Sequence, residues 1–416
     1  MRFAVHVGAR PIGALLLIAW LAWPAPASAQ GAVGSGPLTG SLANVEPQVG
    51  VISLGFLKLA PGLTIREIGF DDNVFDEAVN PKKDWVAAGT PDIAAFMRMP
   101  LVQFSAYGGV EMQYYKDYES ERDISPQARA RVDFLLSRIR PFVGAGETKS
   151  RTRPNGEIDV RANQVQDELS GGVGFELSAH AMIFGSMIAT KNKFEDATQS
   201  GVDLAQSLNR DGTEYQGGLR TDLTPLTSMQ LRGSYKKDEF RYDPQRNGDS
   251  RSATAVFTFA PEAVITGTAT VGFQDYKPVD PLVEPYRGLT GSGFITYSLL
   301  ELARISVGYI RGIDYSFDVN EAYFVQNAVN LAYTMRIAGD LDFQARGSLA
   351  SYNYGNRVGA DARRDTFRDV GGSLGYNLRN RTRVALNYEY AERQSPEIAE
   401  RNYIRRRTYL NWALAF

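Results

Sequence analysis

The chain predicts an all-β protein: a transmembrane, antiparallel up-and-down β-barrel of roughly 18 strands (16–18), preceded by a cleaved signal peptide. Three observations carry this. Segments of about 10–14 residues alternate apolar with polar side chains, longer than the five or six usual in a soluble sheet and long enough to cross a bilayer when tilted. The connectors between them alternate strictly between short and long. The final residues, Thr408 to Phe416, form one more period-2 strand, with Leu410, Trp412, Leu414 and Phe416 on one face.

The front end is a targeting segment. Arg2 and Arg10 make a basic start, Ile12 to Trp23 an apolar core, and Ala27-Ser28-Ala29 a small-residue cleavage site. The apolar core is shorter than the roughly 20 residues of a spanning helix, so cleavage after Ala29 is expected over a permanent anchor. Residues 30–60 read as a flexible periplasmic leader, rich in Gly, Ser, Ala and Pro as far as about Gln48. Val51 to Leu59 is apolar and fits a short strand, a lumen insert or a contact with a periplasmic partner.

Composition narrows the function classes. A formal charge of -2 argues against a nucleic-acid partner. Cys is absent, which removes disulfides, thiolate metal sites and Cys nucleophiles. The 21 Tyr and 21 Phe suit interfacial girdles around a barrel.

The barrel occupies residues 61–416. Strands are expected to start near residues 63, 88, 102, 127, 139, 164, 181, 211, 228, 250, 264, 287, 303, 322, 339, 366, 382 and 403. The clearest runs from Thr382 to Tyr390, with Thr382, Val384, Leu386, Tyr388 and Tyr390 opposing Arg383, Ala385, Asn387 and Glu389. Val102 to Tyr115 sets Phe104, Val110, Met112 and Tyr114 against Gln103, Ser105, Glu111 and Tyr115. A soluble sandwich also alternates, but charges recurring on the polar face of strand after strand fit a wet lumen behind a lipid-facing band. Long links such as Arg151 to Asn163 and Phe194 to Gly212 belong outside, and tight turns in the periplasm. An even strand count puts both ends of the barrel on the periplasmic side. At 16–18 strands the lumen is wide enough for an aqueous channel unless something plugs it.

On the predicted inner face lie Glu111, Arg129, Arg131, Arg220, Arg232, Arg346, Arg383 and Glu389, with Asp133, Glu176, Asp222 and Asp342. These charges either pair and brace the wall or form a selectivity lining in which Arg favours carboxylate and phosphate groups. Tyr107, Tyr115 and Tyr352 face the same way, as flat surfaces for sugar rings or as space-filling above a girdle.

No enzyme constellation is visible. The one histidine of the mature chain, His180, falls in a predicted periplasmic turn, without the nucleophile and orienting acid of a hydrolytic triad. No cofactor or metal is expected; Asp71-Asp72-Asn73 offers oxygen ligands, but adjacent strand residues point to opposite faces.

The terminal strand resembles the closing strand of bacterial outer-membrane barrels, which typically ends in Phe. The resemblance implies that Leu410, Trp412, Leu414 and Phe416 are the signal read by the barrel-assembly machinery. The stretch Gly69-Phe70-Asp71-Asp72-Asn73-Val74-Phe75, after Pro61-Gly62-Leu63, resembles the opening strand of a family of outer-membrane β-barrel porins associated with exopolysaccharide export clusters. That resemblance implies a conduit for exopolysaccharide through the outer membrane, supplied by periplasmic export components. A general small-solute diffusion porin and a non-transporting adhesin or scaffold barrel are the alternatives.

Overall fold

The computed structural model describes residues 51–415, apart from 196, 261–262, 300–301, 319, 355–356, 360–361 and 379–381. The predicted signal peptide, almost all of the leader, and Phe416 lie outside the described residues.

Period-2 patterning makes one face of each segment apolar, and a ring of such segments satisfies every backbone group without leaving an edge. The result is eighteen long strands: β1 (Leu57–Asp71), β2 (Asp84–Arg98), β3 (Val102–Tyr115), β4 (Asp123–Phe134), β5 (Ile139–Thr152), β6 (Ala162–Ser178), β7 (Ala181–Glu195), β8 (Arg210–Thr224) and β9 (Thr227–Phe240) form the first half. β10 (Gly248–Phe259), β11 (Ile265–Pro278), β12 (Tyr286–Leu299), β13 (Ala303–Tyr315), β14 (Tyr323–Ala338), β15 (Leu341–Asn353), β16 (Arg364–Leu378), β17 (Thr382–Gln394) and β18 (Tyr403–Ala415) complete it. Each pairs antiparallel with its sequence neighbours, and β18 returns to β1, Ala415 opposite Gly62 and Arg407 opposite Asp71. Short and long connections alternate as expected.

The outer surface is the apolar one. Along β6 Leu169 is 59% exposed while its neighbour Glu168 is 5% exposed. The same reversal holds for Leu289, Leu331, Val370 and Leu386, all exposed. In water such a surface would be an aggregation liability; facing lipid it costs nothing.

β1 departs from the expected pattern in two ways. It begins at Leu57, so Pro61 and Gly62 lie inside it, and Ile52–Leu54 folds back on Leu57–Leu59 as a small hairpin about Gly55. Gly55 turns at φ 65°, a conformation that suits a residue without a Cβ. The pairing of β1 also shifts register between Ile65 and Ile68 against β18, and between Ile65 and Glu67 against β2. This bulge turns consecutive Arg66 and Glu67 both to the lumen, which simple alternation forbids.

Gly69 is what lets the seam close. A Cβ there would sit 2.2 Å from the Thr408 carbonyl oxygen and 2.5 Å from Tyr409 Cα. Leu410 pairs opposite Ile68 and Trp412 opposite Ile65, both on the outer face, and Leu414 pairs opposite Leu63.

Candidate functional site

The lumen divides into two kinds of wall. From β15 round through β18 to β6 the inner face carries most of the charges. Across β10 to β13 it is rich in hydroxyls, with Ser252, Thr254, Thr268, Thr270, Ser292, Thr296 and Ser306 at inward positions alongside the apolar Val256, Phe294 and Ile310. Two cross-strand pairs tie it together, Ser234 to Ser252 and Thr296 to Ser306, each at 2.8 Å. The repeated Ser and Thr at alternate positions between 250 and 306 are legible in the sequence.

Most predicted lining charges bond to one another. Arg346 Nη2 donates to Glu389 at 2.9 Å and to the Tyr409 hydroxyl at 2.8 Å. Arg407 joins Glu389 to Glu67, the latter at 3.3 Å. Arg383 clamps Asp342 at 2.6 Å. Glu111 accepts from Arg66 at 2.5 Å, and Arg131 pairs with Asp133 at 2.7 Å while lying 3.8 Å over the Phe142 ring. Arg129 lies 4.6 Å over the Tyr107 ring. Among the described residues the Arg232 side chain donates to the Thr254 hydroxyl, at 3.4 Å, and makes no ion pair. Arg220 makes no ion pair among the described residues. The bracing reading therefore accounts for eight of the twelve predicted charges (Glu111, Arg131, Asp133, Glu176, Asp342, Arg346, Arg383 and Glu389), and leaves Arg129, Arg220 and Arg232 against Asp222.

Two tyrosines correct the expectation of ring-binding surfaces. Tyr352 is 1% exposed, stacked 4.6 Å from Phe324, and its hydroxyl accepts from the Gly156 amide at 3.3 Å. Tyr115 is buried with Val74 and Val86 beneath the Arg161 guanidinium. Both face inward, but the outer loops have already covered them. The Asp71-Asp72-Asn73 run is structural too. Asp71 is held bidentate by Arg405, Asn73 bridges the Glu77 and Ile404 carbonyls, and Asp72 points the other way to Arg406. His180 lies in its turn as expected, exposed, 3.9 Å from Asp222.

What covers them is a plug built on the third outer loop, residues 153–161. The sequence reading placed this stretch outside; it folds into the barrel instead. Asn155, Glu157 and Ile158 are all buried. Glu157 accepts from the Ser316 hydroxyl at 2.5 Å and the Phe317 amide at 3.1 Å, with Arg363 at 3.5 Å. Arg401 donates to its backbone carbonyl. Asp159 meets Arg393 and, at 3.4 Å, Arg401; Arg393 also holds Asp365 at 3.1 Å. On the opposite side Arg153 pairs with Asp76 at 3.1 Å and donates to the Val74 carbonyl. One loop is thus fastened to the first, seventh, eighth and ninth outer loops and to β17.

An apolar core fills the space around it. Ile158, Phe194, Leu204, Leu208, Phe240, Tyr276, Phe317 and Tyr323 pack as one cluster across the outer end of the lumen. The tops of β13 and β14 help: β13 leaves β12 above Arg311, and the Tyr315 hydroxyl reaches Asp238 of β9 at 2.9 Å. Burial pushes the Glu157 carboxyl up to about 7, against the opposing pull of the Ser316 hydroxyl and of Arg401 and Arg363. The one sequence signal for this plug was Ile158 and Val160, apolar residues in an otherwise polar link.

A closed barrel with an apolar exterior and a polar, charge-lined interior defines an outer-membrane protein of the porin class. The family model described as "Putative beta-barrel porin 2" matches residues 49–416, and the chain belongs to that family. No curated protein matches the chain. Among solved structures, a BenF-like porin from Pseudomonas fluorescens Pf-5 is similar at 13% identity and a TM-score of 0.51, over 87% of this chain and 100% of that one. The outer membrane protein opdK from Pseudomonas aeruginosa gives 13% identity and a TM-score of 0.49, over 86% of this chain and 99% of that one. At such identities the likeness is one of fold alone.

Proposed function

We propose that the barrel is a passive diffusion channel for small solutes rather than the exopolysaccharide conduit expected from the sequence resemblance. The observation that carries this is the third outer loop, packed across the outer end of the lumen. A polymer would have to unseat Glu157 and Asp159 from Arg363, Arg393 and Arg401 and break open the apolar cluster around Ile158. A small solute needs only a path beside the plug. The hydroxyl wall supplies hydrogen bonds that replace water without holding a solute tightly, and Arg129, Arg220 and Arg232 bias the path toward anions.

The chain reaches this location through a signal peptide cleaved after Ala29 and an assembly signal at Leu410, Trp412, Leu414 and Phe416 read by the barrel-assembly machinery. Liposome swelling with sugars and organic acids of rising size tests the reading. Rapid entry of small acids and monosaccharides with a sharp size limit is expected. Flux of acidic oligosaccharides equal to that of monosaccharides would restore the export reading, and no flux at all would favour a scaffold barrel.

A further inference from the structure

We propose that the outward face from β7 to β11, at the outer end of the apolar band, is a discrete site for one phosphate-bearing acyl lipid of the outer leaflet. Arg251 takes the phosphate, and a groove floored by glycine takes one acyl chain. This face is the other side of the wall from the diffusion path and does not depend on that path conducting.

Above the band, outward strand positions from β8 to β13 alternate cations with carboxylates. Lys237 bonds Glu239 at 2.6 Å, Arg241 bonds Asp211 at 3.0 Å and Arg287 bonds Asp275 at 3.2 Å. Asp249 stands opposite Lys277. Each carboxylate at these positions is thereby matched, and Arg251 and Arg311 remain. Arg311 donates to the Leu289 carbonyl and to the Asn327 side chain. Arg251 is exposed, lies 6.0 Å from the centre of the Tyr235 ring and makes no ion pair among the described residues. Its cross-strand neighbour is Asp275, which Arg287 already holds. A guanidinium fork matches a phosphate, and a tyrosine beside it sits at the level of lipid headgroups.

Below Arg251 on the same face is Ala253, where a row of small residues begins to cross the strands. Ala253 lies opposite Gly233, Gly233 opposite Gly217, and Gly217 opposite Gly185. A Cβ on Gly233, Gly217 or Gly185 would find nothing nearer than a backbone oxygen, at 4.0, 3.6 and 3.9 Å respectively. Exposed Met187 and Tyr215 wall this floor on its outer side, and exposed Ile183 and Leu231 on its periplasmic side. With strands about 4.8 Å apart the floor runs about 14 Å, the length of an extended chain of about ten methylenes. Elsewhere the band is filled by side chains such as Leu169, Leu289, Leu331 and Leu386. The groove opens at its β10 end directly under Arg251, so one lipid can place its phosphate on the guanidinium and a chain along the glycines.

The test uses the folded full-length barrel in detergent and native mass spectrometry. The probes are diphosphoryl lipid A, the same lipid stripped of phosphate, and inorganic phosphate. One phosphorylated lipid per chain should be retained, at least tenfold more tightly than the stripped lipid, and millimolar inorganic phosphate should not displace it. Arg251→Gln should weaken retention tenfold or more. Gly217→Leu combined with Gly233→Leu should do the same, because the added side chains fill the groove from positions where a Cβ meets no clash. Heat-modifiable migration confirms that both variants fold. Arg368→Gln, at an exposed outward arginine on β16, should change nothing. Equal retention of the two lipids, displacement by inorganic phosphate, or an equal loss in Arg368→Gln means general charge attraction and overturns the site. Groove-filling variants that keep the lipid also overturn it. A mass of two or more chains that those variants abolish would put a second copy of the barrel in the groove instead.

Discussion

Glu157 makes the plug respond to pH. In the packed plug its carboxyl sits near 7, whereas a water-exposed glutamate titrates near its ordinary 4.5. Displacing the third outer loop exposes it and lets it ionise. The group binds its proton more tightly when the plug is seated, so the seated state is favoured below about 4.5 and loses that advantage as pH rises through about 7. A difference of that size is worth about 3 kcal/mol, on the order of a hundredfold in the ratio of open to seated plug between pH 4 and pH 8. The groups facing it are Ser316, Arg363 and Arg401, with Arg246 held nearby through the Ser316 carbonyl, and neither hydroxyl nor guanidinium changes charge in this range. Single-channel recordings should therefore show open probability rising with pH in the native protein. Glu157→Gln removes the ionisation, keeping through its one acceptor oxygen the bonds from Ser316 and Arg363 while giving up the one from the Phe317 amide, and should be flat over the same range. If the glutamine variant keeps the full pH response, or if the native channel opens on acidification, the assignment to Glu157 is wrong.

Three further outcomes follow from the same contacts. Arg393→Ala leaves Asp159 and Asp365 facing each other with only Arg401 and Arg363 nearby, a loss of about 3–5 kcal/mol for a broken buried pair; conductance should rise and protease should cut within 153–161 sooner. Gly69→Ala drives a methyl into the Thr408 carbonyl, so the fraction of heat-modifiable barrel should fall while synthesis is unchanged. Arg405→Ala strands Asp71 at the seam, while Asp76 keeps Arg153, and should lower the unfolding temperature in detergent, with the Arg405→Ala, Asp71→Asn pair recovering part of it.

The barrel itself was legible residue by residue. Strand starts read from alternation at 102, 139, 181, 303, 382 and 403 coincide with the first residues of β3, β5, β7, β13, β17 and β18, because a two-sided strand between lipid and water cannot slip by one residue without reversing every side chain. The same parity placed Glu111, Arg131, Arg346 and Glu389 on the inner face. It could not see the bulge at Arg66, where one extra residue in a strand otherwise like its neighbours resets the parity. Nor could it say which charges would be paired, since Arg346, Glu389, Arg407 and Glu67 come from four strands brought together only by closure of the ring. The plug lay furthest from reach. Residues 153–161 are polar enough to be an exposed loop, and their burial depends on partners at 76, 316, 363, 393 and 401, each supplied by a different part of the chain. Local periodicity determines which way a side chain points, because that is a property of the strand. Whether the lumen it points into is open depends on long-range pairing of buried charges, and only the tertiary structure decides that.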